Sequence, residues 1–256
     1  MDITIMKKCS INYTFIVLML FAILLGLSDE FFLILFGLIL HEIGHLIFIK
    51  LFEYKINKIT LYPFGGVIVY ENKNDFIFKS ILICLGGILS NFLFFVLFKF
   101  FNLYSLANVN LLLLLINLLP IFPLDGGRIL VLVLSLFVPY KLSKKLVHYL
   151  SIVFVILLAI YLSMYLNGIY WYLLLAFFIK SNISSLIFLK KDYQFFLLMK
   201  HLNPNDKLSC KETRFWCKNP IESIFMGRYM VYDFNTFKIE EKKILKRHFE
   251  NKKRLQ

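Results

Sequence analysis

At 256 residues, with 59% hydrophobic residues, 18% charged residues and a mean hydropathy of +0.73, the chain carries more apolar surface than a soluble domain of its length can cover. This excludes a water-soluble globular enzyme and points to an integral membrane protein. The formal net charge is +13, and residues 190–256 alone hold sixteen Lys/Arg against eight Asp/Glu; the basicity is concentrated at one end, and no nucleic-acid partner is expected.

Apolar runs fall at 12–28, 31–52, 76–101, 109–138, 146–166 and 168–189. Each is long enough for a span, which needs roughly 20 residues, so six transmembrane helices are expected in one bundle. Lys7 and Lys8 precede the first run as in a signal peptide, but no small-x-small cleavage site follows, and an uncleaved span is the reading taken. Lys7–Lys8, Lys50/Lys55/Lys58, Lys141/Lys144/Lys145 and Lys190–Lys191 fall on alternate connections, and the other connections carry no Lys or Arg. By the positive-inside bias, the lysine-bearing side is cytoplasmic and so are both termini.

The fold class expected is therefore an all-α polytopic membrane protein, with a transmembrane domain over 1–189 and a small basic cytoplasmic region over 190–256. The end of that region, EEKKILKRHFENKKR (240–254), has helix-forming composition and puts Ile244, Leu245 and Phe249 near one face. Such a helix suits an anionic lipid surface or a partner, and equally a solvated tail. The four cysteines, 9, 84, 210 and 217, form no C-x-x-C pair and read as plain thiols.

The second run contains LILHEIGHLIF, 38–48, three ionisable groups inside oil. Ionisable groups at bilayer depth cost on the order of 2.5–3.5 kcal/mol each. Residues four apart share a helix face, so His41 and His45 can point at one metal ion with Glu42 flanking it. In the zincin arrangement two histidines hold Zn²⁺, one position stays open for water, and the glutamate takes the water's proton during attack on a carbonyl. The competing reading is an accidental polar patch or a packing hydrogen bond. From Phe31 to Lys50 is about 30 Å of helix at 1.5 Å per residue, which sets the histidines near mid-membrane, toward the cytoplasmic half.

A third ligand is needed. Between residues 31 and 189 the acids are Glu42, Glu53, Glu71, Asp75 and Asp125; Glu53, Glu71 and Asp75 fall in a polar connection, which leaves Asp125. It sits in NLLPIFPLDGGR, 117–128, where Pro120 and Pro123 interrupt the helix and Gly126–Gly127 permit close backbone approach. A broken helix at membrane depth is tolerated where it lines a buried or watery cavity. A plain helix-ending turn is the alternative.

HEIGH at 41–45 together with NLLPIFPLDGG at 117–127 resembles the site-2 proteases, polytopic zinc enzymes that cut other proteins within or beside the membrane. The resemblance implies His41, His45 and Asp125 as zinc ligands and Glu42 as general base. It also implies that LYPFGGVIVYENK, 61–73, is a short membrane-associated β-hairpin, with Gly65 and Gly66, whose edge receives an extended substrate. GGILSN, 86–91, is similar to the family's A-G-P-x-x-N pattern without its proline, which brings in Asn91. Asn117 opens the aspartate motif and is expected beside the metal, on substrate or oxyanion.

No loop is long enough for a PDZ insertion, and the spacing looks like the six-span branch that includes the stage IV sporulation (FB-type) proteases, which release a membrane-tethered pro-sigma factor. That resemblance implies a membrane-tethered protein substrate and inhibitory membrane-protein partners in the lipid bilayer. Residues 190–256 are too short for the pair of CBS motifs that often ends that branch. Two other functions stay open at this point: an intramembrane zinc peptidase of another class, and a multi-span metal transporter using His and Asp ligands.

Overall fold

A computed structural model of the chain describes residues 9–11, 13–24, 26, 28–62, 65–70, 77–165, 169–202, 210–213, 220–226, 229–233 and 238–253. The chain divides into two compact units, residues 1–72 with 79–119, and residues 73–78 with 120–256.

The first unit begins with strand β1 (Cys9–Ile11) and helices α1 (Tyr13–Leu24) and α2 (Ser28–Leu51). Asp29 and Glu30 in the first turn of α2 and Lys50 in its last complement the helix dipole. The helix closes where Glu53 takes a left-handed φ of 58° and Tyr54 N–H returns to Ile49 O at 3.0 Å. Strands β2 (Ile56–Tyr62) and β3 (Gly65–Tyr70) follow, then α3 (Ile77–Phe100) and α4 (Tyr104–Leu118). The hairpin thus starts earlier than the 61–73 segment suggests, because the alternation of INKITLY already makes a strand. It is also not alone: β1 adds to β2 in parallel, Cys9 opposite Ile59, and β3 is left as an edge.

Two helices of this unit touch backbone to backbone. A Cβ at Gly44 would stand 2.2 Å from Gly86 O, and one at Gly86 would stand 2.6 Å from Gly44 O. Small residues at such a crossing let helices in lipid gain van der Waals contact, and Ser90 Oγ seals it by donating to Leu40 O at 2.6 Å. Below the crossing, Ile49, Tyr54 and Ile83 form a buried cluster joined by Ile68 and Tyr70 of the hairpin.

The fourth apolar run is broken where the first unit ends and the second begins, as the prolines predict. Leu119 is extended (ψ 140°), because the residue before a proline is pushed out of the helical region. A turn follows, with a cis Phe122–Pro123 bond, and α5 (Asp125–Leu134) begins after an extended Leu124. Helices α6 (Tyr140–Tyr165) and α7 (Ile169–Leu202) come next, then β4 (Cys210–Thr213), a 3₁₀ turn (Pro220–Ser223), β5 (Tyr229–Asp233), β6 (Lys238–Glu240) and α8 (Glu241–Lys253). In this second sheet β4 runs parallel to β5, and β5 antiparallel to β6.

The C-terminal region is therefore a folded module. Helix α7 runs through position 189, and the apolar face of α8 is covered by this chain rather than by lipid: Leu245 packs with Tyr193, Leu197 and Ile224, and Phe249 lies against them. Lys200 pairs with Glu241, both almost fully buried, and donates to Phe225 O at 2.7 Å.

Among the described residues, three helices are long and apolar enough to cross a membrane, α2 from Asp29, α3, and α6 to Met164, while α4 is apolar but shorter. Their outward faces are oil: Phe78, Leu93, Phe100 and Met164 are each more than 60% exposed. An apolar exterior on this scale belongs in a bilayer.

Candidate metal centre

The i,i+4 spacing on α2 does what the sequence predicts. His41 and His45 are buried and edge-to-face, ring centroids 4.7 Å apart, with their Nε2 atoms 3.1 Å from each other. The outer nitrogens are engaged from α3. His45 Nδ1 lies 2.7 Å from Ile83 O, which fixes Nδ1–H as the donor and leaves a lone pair on Nε2. His41 Nδ1 lies 3.1 Å from the amide nitrogen of Asn91, a fully buried residue whose Oδ1 has no hydrogen-bond partner among the described residues. As placed, Asn91 Nδ2 donates to His41 Nδ1 and His41 Nε2–H can donate to His45 Nε2; with the amide turned over, Oδ1 would accept from His41 Nδ1–H and the second Nε2 would also present a lone pair. In that tautomeric state the two lone pairs, 3.1 Å apart, would not hydrogen-bond to each other and would suit a cation.

Space for it comes from Gly87, which the sequence reading passed over. A Cβ there would lie 2.5 Å from His41 Cε1 and 2.5 Å from His45 Nε2. The second glycine of GGILSN, facing a histidine pair, was the available signal.

Glu42 points to the hairpin. Its Oε1 accepts from Gly66 N–H at 2.7 Å, and its Oε2 is buried without a hydrogen-bond partner among the described residues. Gly66 must be a glycine for this, since a Cβ would stand 2.8 Å from Glu42 Cδ. Gly65, at φ 139°, occupies backbone that L side chains rarely adopt. Asn117 is buried on α4, and its amide nitrogen donates to Leu113 O, one turn back, at 3.0 Å.

Asp125 opens α5 in the second unit and is 5% exposed. The turn before it is tight: Leu124 N–H bonds Ile121 O at 2.9 Å, and a Cβ on Gly127 would lie 2.8 Å from that same carbonyl oxygen. His41 and His45 of the first unit and Asp125 of the second are each buried, and all three are of residue types able to hold a metal ion. Two imidazole nitrogens and one carboxylate oxygen are the donors a catalytic zinc takes, with a position left open.

Peptidase family M50 matches this chain at residues 30–106 and 99–161, about half of its length. The chain belongs to peptidase family M50. Stage IV sporulation protein FB of Bacillus subtilis is 31% identical over 135 residues, 47% of this chain and 45% of that protein. A zinc metalloprotease of Methanocaldococcus jannaschii is 35% identical over 126 residues, 45% of this chain and 37% of that protein. The matches thus span less than half the length of these curated relatives. The site-2 protease structure from Methanocaldococcus jannaschii is similar with a TM-score of 0.58 at 27% identity, over 69% of this chain and 89% of that one. Both motif segments, 41–45 and 117–127, lie inside the family match, and family M50 is the site-2 protease family that those motifs suggest.

Proposed function

We propose that this M50 chain is an intramembrane zinc endopeptidase that cuts a membrane-tethered protein near the cytoplasmic face, with His41, His45 and Asp125 as metal ligands and Glu42 as general base. The observation that carries the reading is the state of Glu42. One carboxylate oxygen is pinned by Gly66 N–H and the other is buried without a hydrogen-bond partner among the described residues, one residue from the paired histidines. A metal transporter needs ligands but has no use for an oriented, half-satisfied carboxylate beside them.

Zinc, when bound, supplies a Lewis acid that makes water nucleophilic near neutral pH and polarises the scissile carbonyl. The chain's own groups do the rest. Gly66 N–H fixes the plane of the Glu42 carboxylate, so Oε2 is the oxygen that takes the proton of the attacking water and then delivers it to the leaving amine. Asn117 has a second amide N–H beyond the one given to Leu113 O, and it stabilises the oxyanion of the tetrahedral intermediate.

Substrate must reach this carboxylate in extended form. Gly66 lies opposite Leu61 in the ladder yet gives its N–H to Glu42, so it turns its polar groups off the sheet, and by antiparallel alternation Ile68 turns its groups the same way. That edge is suited to receive a substrate strand next to Glu42. The similarity to a sporulation protein supports a membrane-tethered regulator such as a pro-sigma factor as the substrate, with membrane proteins as inhibitory partners. The lysine pattern supports six spans with both termini in the cytoplasm.

The test is co-expression with membrane-tethered pro-proteins. Wild type is expected to yield a shorter product and Glu42→Gln to slow cleavage about 10²–10⁴-fold while retaining zinc. Vesicles in which the purified protein moves zinc, with no proteolysis by wild type, would overturn the reading.

A further inference from the structure

The turn that carries Asp125 is not held by its own prolines alone. Pro120 and Pro123 have no N–H to give, and the backbone of Phe122 between them lies outside any helix. Both polar groups of Phe122 nevertheless have partners, and both partners are side chains from remote helices. Phe122 N–H donates to Ser151 Oγ on α6 at 2.9 Å, and Phe122 O accepts from Asn182 Nδ2 on α7 at 3.0 Å. The same amide nitrogen also donates to Phe178 O, one turn back on α7, at 3.0 Å, so both of its hydrogens are used. The Phe122 ring lies against His148, centroids 4.3 Å apart, and His148 Nε2 meets Ser185 Oγ at 3.2 Å.

His148 and Ser151 are three apart on α6, and Asn182 and Ser185 are three apart on α7, so each pair shares one helix face. The first three are nearly or fully buried, Ser151 and His148 at 0% and Asn182 at 2% exposure. Polar side chains enclosed within apolar helices are costly unless paired, and two of these are aimed at the backbone of one residue of a broken segment, Phe122, three residues before Asp125.

The geometry points to Ser151 and Asn182 as positioning residues for the Asp125 turn: together they satisfy both polar groups of Phe122 and fix the direction in which α5 starts. Neither touches substrate or metal; each acts through the backbone of residues 121–124. Removing either hydroxyl or amide leaves a Phe122 group unpaired, and the turn opens. The consequence for zinc rests on the reading of Asp125 as a ligand, whereas the clamp itself does not.

The experiment uses the full chain purified in detergent, as Ser151→Ala, Asn182→Leu, the conservative Ser151→Thr, and Ser143→Ala as a control. Ser143 is also fully buried on α6 but donates to the Pro139 carbonyl, away from the turn. Two quantities are read: amide hydrogen exchange of the 120–128 peptide in metal-free protein, and zinc affinity by chelator competition. Ser151→Ala and Asn182→Leu are expected to speed exchange in that peptide at least tenfold, leave exchange over 140–165 unchanged, and weaken zinc binding about 10–100-fold. Ser151→Thr is expected to restore both, and Ser143→Ala to change neither. The clamp is overturned if exchange over 120–128 does not move, or moves equally in Ser143→Ala. Faster exchange with unaltered zinc affinity would overturn its role in presenting Asp125. Wild type that binds no zinc at all would sink the metalloprotease reading instead, while the exchange data still decide the clamp.

Discussion

The two halves of the proposed donor set are built by opposite means. His41 and His45 ride on α2, an unbroken helix whose periodicity alone stacks the rings, and what shapes their surroundings is the absence of side chains at Gly44, Gly86 and Gly87. Asp125 stands after a stretch with no helical periodicity at all, and its turn is fixed by hydrogen bonds that come from elsewhere in the chain. One half is specified locally and needs room; the other is specified at a distance and needs partners.

That contrast predicts unequal sensitivity to added bulk. Gly44→Val is expected to have the largest effect, because its Cβ would meet Gly86 O at 2.2 Å, a backbone atom of a packed helix that cannot rotate away. A loss of upwards of about 3 kcal/mol is expected for forced overpacking of this kind, seen as loss of a cooperative thermal transition. Gly87→Ala comes next. Its methyl group would meet the rings of His41 and His45, so the fold should survive while zinc affinity drops by more than tenfold, measured by chelator competition beside a thermal melt. Gly127→Ala is expected to do least, because the Ile121 carbonyl it approaches at 2.8 Å belongs to a turn. About 1–3 kcal/mol of stability is lost, and the accompanying change in zinc binding reports how far that turn can give. An order of effects with Gly127→Ala first would break the contrast.

The legibility of the sequence follows the same division. HEIGH on α2 is a spacing rule and could be read from residues alone, as could the interruption of the fourth apolar run by Pro120 and Pro123. The extra parallel pairing of β1 with β2 could not, since it joins Cys9 to Ile59 across fifty residues with no composition signal. The helix in EEKKILKRHFENKKR is legible in its composition, but the partner of its apolar face is not: Tyr193, Leu197 and Ile224 come from two other segments. Gly66 was singled out as part of a hairpin, yet its bond to Glu42 depends on how that hairpin folds back onto α2. Ser151 and Asn182 were invisible for a simple reason: one serine or asparagine in an apolar span is common, and only the fold shows that both meet at Phe122.

The central claim is that two histidines on an intact helix and an aspartate on a held turn bind one zinc. The most direct measurement is the zinc content of purified protein, by elemental analysis, for wild type, Glu42→Gln, His45→Ala and Asp125→Asn. One zinc per chain is expected in wild type and in Glu42→Gln, with His45→Ala and Asp125→Asn both largely depleted. Equal zinc in all four, or an Asp125→Asn protein that holds zinc as tightly as wild type, would contradict the account.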